Sequence, residues 1–215
     1  MRISFQWISL GLLAATSCIV VNAQNASTNP KPSRPAATSS GQTAIPMPQV
    51  QPEMTKLIKS MAGNWTTTAV MEKGPMMPNG GTDHGTSKIW AGPGGMSLLQ
   101  TYHSTGSLGN FSGVGTDWWD AQAQAYKGVW CDSMAPCNAT GASKWDGDKL
   151  IGTMEADMNG QKMVTRITYS DFKPDSFVMT MDSGPDANSL QKMMTITYTR
   201  AAARAGEGAD QNKQP

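Results

Sequence analysis

Cys131 and Cys137, with five residues between them, flank Asp132, Ser133 and Met134, and Trp130 comes just before. Two thiols beside a carboxylate and a hydroxyl suggest either a redox or metal centre, or a cross-linked turn next to a pocket. The redox reading needs Cys-x-x-Cys spacing and a helix N-terminus to lower a thiol pKa, and the stretch offers neither. The remaining cysteine, Cys18, falls in what reads as a removable leader, so an exported chain keeps one pair that oxidises to a Cys131–Cys137 disulfide. Closing so short a loop contributes about 2 kcal/mol in the chain-entropy model.

Asp132 raises a different question. On a straight strand Tyr126, Gly128, Trp130, Asp132 and Met134 share one face, while Lys127, Val129, Cys131 and Ser133 share the other. A carboxylate facing an interior loses hydration worth several kcal/mol unless paired. Arg166, in the middle of the apolar and Thr-rich "MVTRITYSDF", is its expected partner. The bland alternative is a structural ion pair or a surface aspartate. In the functional alternative, Asp132, Ser133 and Arg166 are the polar groups of a mostly apolar pocket with Trp65, Tyr102 and Trp130 as walls.

Other chemistries find little support. His84 and His103 have no partner at metal-ligand spacing, so neither a metal nor a cofactor is expected; His103 is the one residue placed to ligate a haem. No Gly-x-Ser-x-Gly elbow is present. Asp146 and Asp148 lie in the "WDGDKL" turn, where aspartate serves the backbone. The sixteen methionines invite a Cu(I) reading, but Met179, Met181 and Met194 fall on apolar strand faces and read as core filler. Met71, Met76 and Met77, in a Gly/Pro-rich connection, are expected to be exposed.

The elements that must position these residues follow from composition. Residues 1–23, with Arg2, an apolar run and Val21-Asn22-Ala23, have the form of a cleaved signal; a lipid anchor on Cys18 is the minor alternative. Either route makes the chain exported, to the periplasm or beyond. Removing Arg2 with the leader leaves sixteen basic against sixteen acidic residues, and no basic run, so neither nucleic acid nor a membrane surface is an expected partner. Residues 24–50 and 201–215, rich in Pro, Ser, Thr, Ala and Gly, are too poor in large apolar groups to fold alone. The folded domain is therefore 51–200.

Within it, Met54, Leu57, Ile58 and Met61 recur at helical spacing, Pro52 suits a first turn, and Gly63 suits a stop. From Trp65 the period becomes two, with turn signals every ten to fifteen residues, among them "PNGG", "WDGD" and "SGPDAN". Such spacing leaves no room for crossover helices, so successive strands pair antiparallel. About nine or ten strands would expose long edges if flat; the expectation is an all-β, up-and-down barrel, with Gly113, Gly115 and Gly128 as bends.

"MPNGG", "GPGGMSLLQTY", "GNFSGVGTDWWD", "YKGVWCDSM", "MVTRITYSDF" and "MTITYTR", in that order over residues 52 to 200, resemble the domain-of-unknown-function 1579 family, DUF1579. The resemblance implies a calycin-like barrel of the lipocalin kind with room for a small molecule, and it implies no reaction. The two cysteines around "DSM" depart from the family's usual pattern. The expected function is the binding of a small, mostly apolar ligand without catalysis. The alternatives are a hydrolase or isomerase using Asp132 or His103 in the cavity, and a filled barrel acting as an envelope interaction module.

Overall fold

The computed structural model describes residues 48–74, 77–158 and 161–202. The expected signal, most of the segment 24–50, nearly all of the expected tail and Met76 lie outside the described residues.

Helix α1 runs Pro52–Met61, with proline in its first turn, Glu53 near its N-terminus and Lys59 near its end, charges that suit the helix dipole. Met54, Leu57 and Met61 form its buried stripe. The expected glycine stop differs in detail. Ala62 ends the helix in extended geometry, donating its N–H to Ile58 O at 2.9 Å. Gly63 instead opens β1 at φ 156°, and it gives the room needed by the Arg200 guanidinium, which lies 4.3 Å over Trp65.

Eleven strands follow: β1 (Gly63–Met71), β2 (Gly81–Ala91), β3 (Ser97–Gly106), β4 (Gly109–Asp120), β5 (Ala125–Asp132), β6 (Asn138–Ala139), β7 (Ala142–Asp146), β8 (Lys149–Met158), β9 (Gln161–Lys173), β10 (Ser176–Gly184) and β11 (Gln191–Arg200). All neighbours pair antiparallel. β1 pairs with β11, and β4 with β5, so the sheet closes into a ten-strand barrel; β6 is an added two-residue rung on β5, opposite Val129 and Trp130. Closure removes the long edges, although β7 meets β5 only at Tyr126–Ser143 and β8 beyond Thr153 pairs only with β9. Asp146-Gly147-Asp148 turns the β7–β8 hairpin with Gly147 at φ 60°, the geometry that favours glycine there.

Two irregularities escape the period-two pattern, the first where β10 slips against β11 between Met181 and Asp182. At the second, β9 slips against β10 between Ser176 and Val178, and Asp171 adopts φ 54°. The bulge turns Phe172 into the core, 5.7 Å from Phe177.

At the α1 end, Met54, Leu57 and Met61 meet Trp65, Ile89, Leu98, Tyr126, Phe177 and Tyr198, all buried. Trp65 Nε1 donates to Met61 O at 3.0 Å and Tyr126 Oη to Glu53 O at 2.8 Å, which fastens the helix over this mouth. Phe177 is the hub: its ring stacks on Tyr198 at 4.3 Å and meets the Trp65 ring edge-on at 4.9 Å. Toward the other mouth, inward Phe111, Trp130, Met154, Ile167, Met181 and Met194 are only half-buried. Helix α1 covers one end, with Trp119 and Trp145 half-buried beneath it, while Met71 and Asp83 stay buried toward the other, looser end.

Candidate ligand site inside the barrel

The site's wall is built around two glycines. Trp130 on β5 lies opposite Gly115 on β4, and a Cβ at Gly113 would run into its indole, while one at Gly115 would sit 2.8 Å from it. These glycines are therefore clearance for a large ring. Gly128 does the same for Asp117: a side chain there would collide with Asp117 Oδ1.

Asp117 is the residue that sequence reasoning passed over. Register places it on the inward face of β4, in phase with Gly113, Gly115 and Trp119 and opposite Leu98 and Gly128. It lies deep in the protein, yet its side chain keeps partial solvent access. Burial alone lifts its carboxyl to about 7, with neither a hydrogen-bond donor nor a cation offsetting the loss of hydration. Tyr169 on β9 faces it from across the barrel, and its phenol is raised first by burial and then by the charge of Asp117. Tyr198 is raised by burial and by its neighbours Tyr169 and Tyr102, while a hydrogen bond from Gln100 acts the other way. Gln100 Nε2 also donates to Ser87 Oγ at 3.0 Å, and Thr67 Oγ1 to Tyr102 Oη at 3.4 Å. A belt of neutral polar groups thus crosses the barrel beside one carboxyl. The sequence signal was available: "GVGTDWWD" puts Asp117 in the parity of two glycines and a tryptophan.

The residues nominated from sequence scatter over three settings. Trp65 belongs to the α1 end and Tyr102 to the buried polar belt. Trp130 lies on the inner face of β5, and its Nε1 donates to Asp132 Oδ2 at 3.0 Å. Asp132 Oδ1 accepts the N–H groups of Met134 and Ala135 at 2.8 Å each, so this carboxylate caps the turn after β5. Ser133 is exposed and ties that turn to β4, its Oγ accepting from Ser112 N at 3.2 Å. Arg166 corrects the expectation of an Asp132–Arg166 pair. It lies opposite Thr153 and Asp182, in the phase that faces outward, because inward-facing Thr165 and Ile167 flank it. Among the described residues, the ion pairs are Lys127–Asp120 and Lys162–Glu155, both at the surface.

Two further expectations are corrected. His103 is exposed on the outer face of β3, so it cannot reach anything inside. Met71 is buried as the last inward residue of β1, whereas Met77 is half-buried. The Cys131–Cys137 disulfide is formed, with Cα atoms 4.0 Å apart, and it holds the segment that carries β6 back against β5. Replacing both cysteines by serine is expected to lower the unfolding free energy by about 2 kcal/mol, read as a lower urea midpoint at unchanged slope.

Two shallow grooves, each about 300 Å³, lie elsewhere. One runs under α1 beside Trp119, Tyr126 and Trp145; the other lies on the outer face along Trp118, Val129 and Ala142. Neither contains Asp117 or Trp130; the first also carries Glu53, Lys56, Gln124 and Lys144.

A family described as "Protein of unknown function (DUF1579)" matches residues 51–200. The chain belongs to the DUF1579 family. The crystal structure of Rv2717c from M. tuberculosis resembles this DUF1579 barrel with a TM-score of 0.50 at 13% identity, covering 72% of this chain and 100% of that one. This likeness concerns the fold. A de novo designed fluorescence-activating β-barrel resembles it more loosely, with a TM-score of 0.38 at 12% identity over 67% of this chain and 96% of that one. No curated protein matches the DUF1579 chain significantly.

Proposed function

We propose that this DUF1579 barrel is a non-catalytic carrier or sensor that holds one small, largely apolar molecule between Trp130 and the methionines of the looser end. The observation that carries the reading is a set of inward side chains, Phe111, Trp130, Met154, Met181 and Met194, that stay half-buried toward the mouth opposite α1, where they can exchange water for a ligand's apolar surface. Methionine suits such a wall because its unbranched chain adapts to different shapes. The hydrolase or isomerase alternative finds less support, since Asp132 is committed to Trp130 and the turn and His103 is outside.

We also take the protein to be exported. The disulfide supports this, because thiols stay reduced in the cytosol. Among the described residues no helix is long and apolar enough to cross a membrane.

The test is titration of delipidated protein with the neutral dye Nile red. A saturable rise in emission at about one dye per chain is expected, with quenching of tryptophan fluorescence. Trp130→Ala should weaken binding about tenfold, the equivalent of ~1.4 kcal/mol of lost ring contact. Arg166→Ala, on the outer face, should leave it unchanged. Absence of saturable binding by delipidated protein overturns the reading.

A further inference from the structure

The interior is chemically lopsided. Register assigns three carboxyl groups to inward phases, Asp83 on β2, Asp117 on β4 and Asp132 on β5, and no lysine lies among the inward residues that surround them. Two of the three are satisfied by the protein. Asp83 is buried and accepts from Leu108 N at 3.2 Å and Ser104 Oγ at 3.4 Å, holding the β3–β4 turn. Asp132 accepts from the Trp130 indole and two backbone N–H groups. Asp117 is different: it is on the inward face, among the described residues nothing donates to it, and its side chain keeps partial solvent access.

The groups that face Asp117 are neutral. On β3 they are Leu98 and Gln100; on β5, Gly128 and Trp130; across the barrel, the phenol of Tyr169. Arg200 is held at the α1 end over Trp65, and Lys127 pairs with Asp120 at the surface. A buried carboxyl with no donor and no cation lacks the partners that elsewhere balance such burial. A ligand can supply both at once.

We propose that the molecule held in this barrel is a cationic amphiphile, an aromatic or aliphatic body bearing one primary amine, whose ammonium group pairs with Asp117 while its body lies against Trp130, Phe111 and Met181. An ammonium offers three donors and one positive charge, enough for the carboxylate and for a neighbouring phenol oxygen such as that of Tyr169. A neutral ligand leaves the carboxyl without a donor, and an anionic one adds repulsion. Recognition is therefore by charge at one point and by apolar contact along the rest. The inference rests on the carrier reading, and the experiment separates the two.

The experiment is isothermal titration calorimetry of the full DUF1579 chain with three probes that share a body: 2-(1-naphthyl)ethylamine, 2-(1-naphthyl)ethanol and 1-naphthylacetate. At pH 8 the amine should bind at least about tenfold more tightly than the alcohol, and the acetate most weakly, since charge-assisted bonds are about twice as strong as neutral ones. From pH 8 to pH 5 the amine's advantage should shrink, because Asp117 takes up a proton while an aliphatic amine keeps its own. Asp117→Asn should reduce amine binding to the level of the alcohol and leave the alcohol unchanged. Equal binding of amine and alcohol by the wild type overturns the amine inference and leaves the carrier reading standing; binding of none of the three removes both. The wild-type probe series decides the matter even if the variant fails to fold.

Discussion

Asp117→Asn raises the unfolding free energy of the ligand-free protein at pH 8 by up to about 4 kcal/mol and changes it little at pH 4. In the unfolded chain this aspartate titrates near 3.8, and in the folded barrel near 7. Between those values the folded protein keeps a proton that the unfolded chain has released. Raising the pH therefore favours the unfolded chain progressively, from about pH 4 until the folded group has itself ionised near pH 7. Three units at 1.36 kcal/mol each give the ~4 kcal/mol, an upper bound because the side chain keeps some contact with solvent. Asparagine cannot ionise, so the variant lacks this slope. Asp120 and Asp186 act in the opposite sense and at lower pH. Asp120 is lowered mainly by its bond to Lys127, and Asp186 mainly by the backbone N–H of Asn188, so their stabilisation is lost as pH falls through their depressed values. Both proteins share those groups, and the difference between them isolates Asp117. Urea denaturation at pH 4, 6 and 8 is the measurement; parallel stability curves for wild type and variant would refute the assignment.

Phe177→Ala should destabilise the barrel by about 3–5 kcal/mol, a large part of the 5–15 kcal/mol that holds a typical domain together. Phe177 is 1% exposed and packs against rings from four other residues: Tyr198, Trp65, Phe172 at 5.7 Å and Tyr169 at 6.3 Å. Truncation leaves a cavity whose walls are drawn from β1, β9 and β11 and from the bulge at Asp171, and closed-barrel geometry lets them collapse little. The loss therefore includes the cavity as well as the transfer of the ring. Phe177→Leu should recover more than half of it. The urea midpoints of the two variants settle the point, and a cost below about 1 kcal/mol for the alanine would mean that the α1 end is not the packed floor described above.

How much of the site was legible before the fold is best judged residue by residue. Period-two parity already separates Arg166 from Ile167 and Tyr169, and it already groups Asp117 with Gly113, Gly115 and Trp119. Asp132 drew attention because it sits between cysteines; its neighbours Met134 and Ala135 supply the backbone donors that make it a turn cap. The environment of Asp117 could not be read in the same way. Gly128, which leaves room for it, lies eleven residues away in sequence, and Tyr169 lies fifty-two away. The bulge at Asp171 was equally hidden, because only the slipped pairing with β10 forces it.

Local chemistry alone decided the helix at Pro52–Met61, the succession of antiparallel strands, the closure expected of so many of them, and the pairing of Cys131 with Cys137. These depend on neighbours a few residues apart, or on a count. Only the tertiary structure decided which mouth α1 covers, that the strand glycines make room for Trp130 and Asp117, and that one carboxyl stands deep and unpaired while Asp132 does not. The physical reason is that burial and hydrogen-bond supply come from groups brought together across the barrel, and a carboxyl's proton affinity follows those groups rather than its place along the strand.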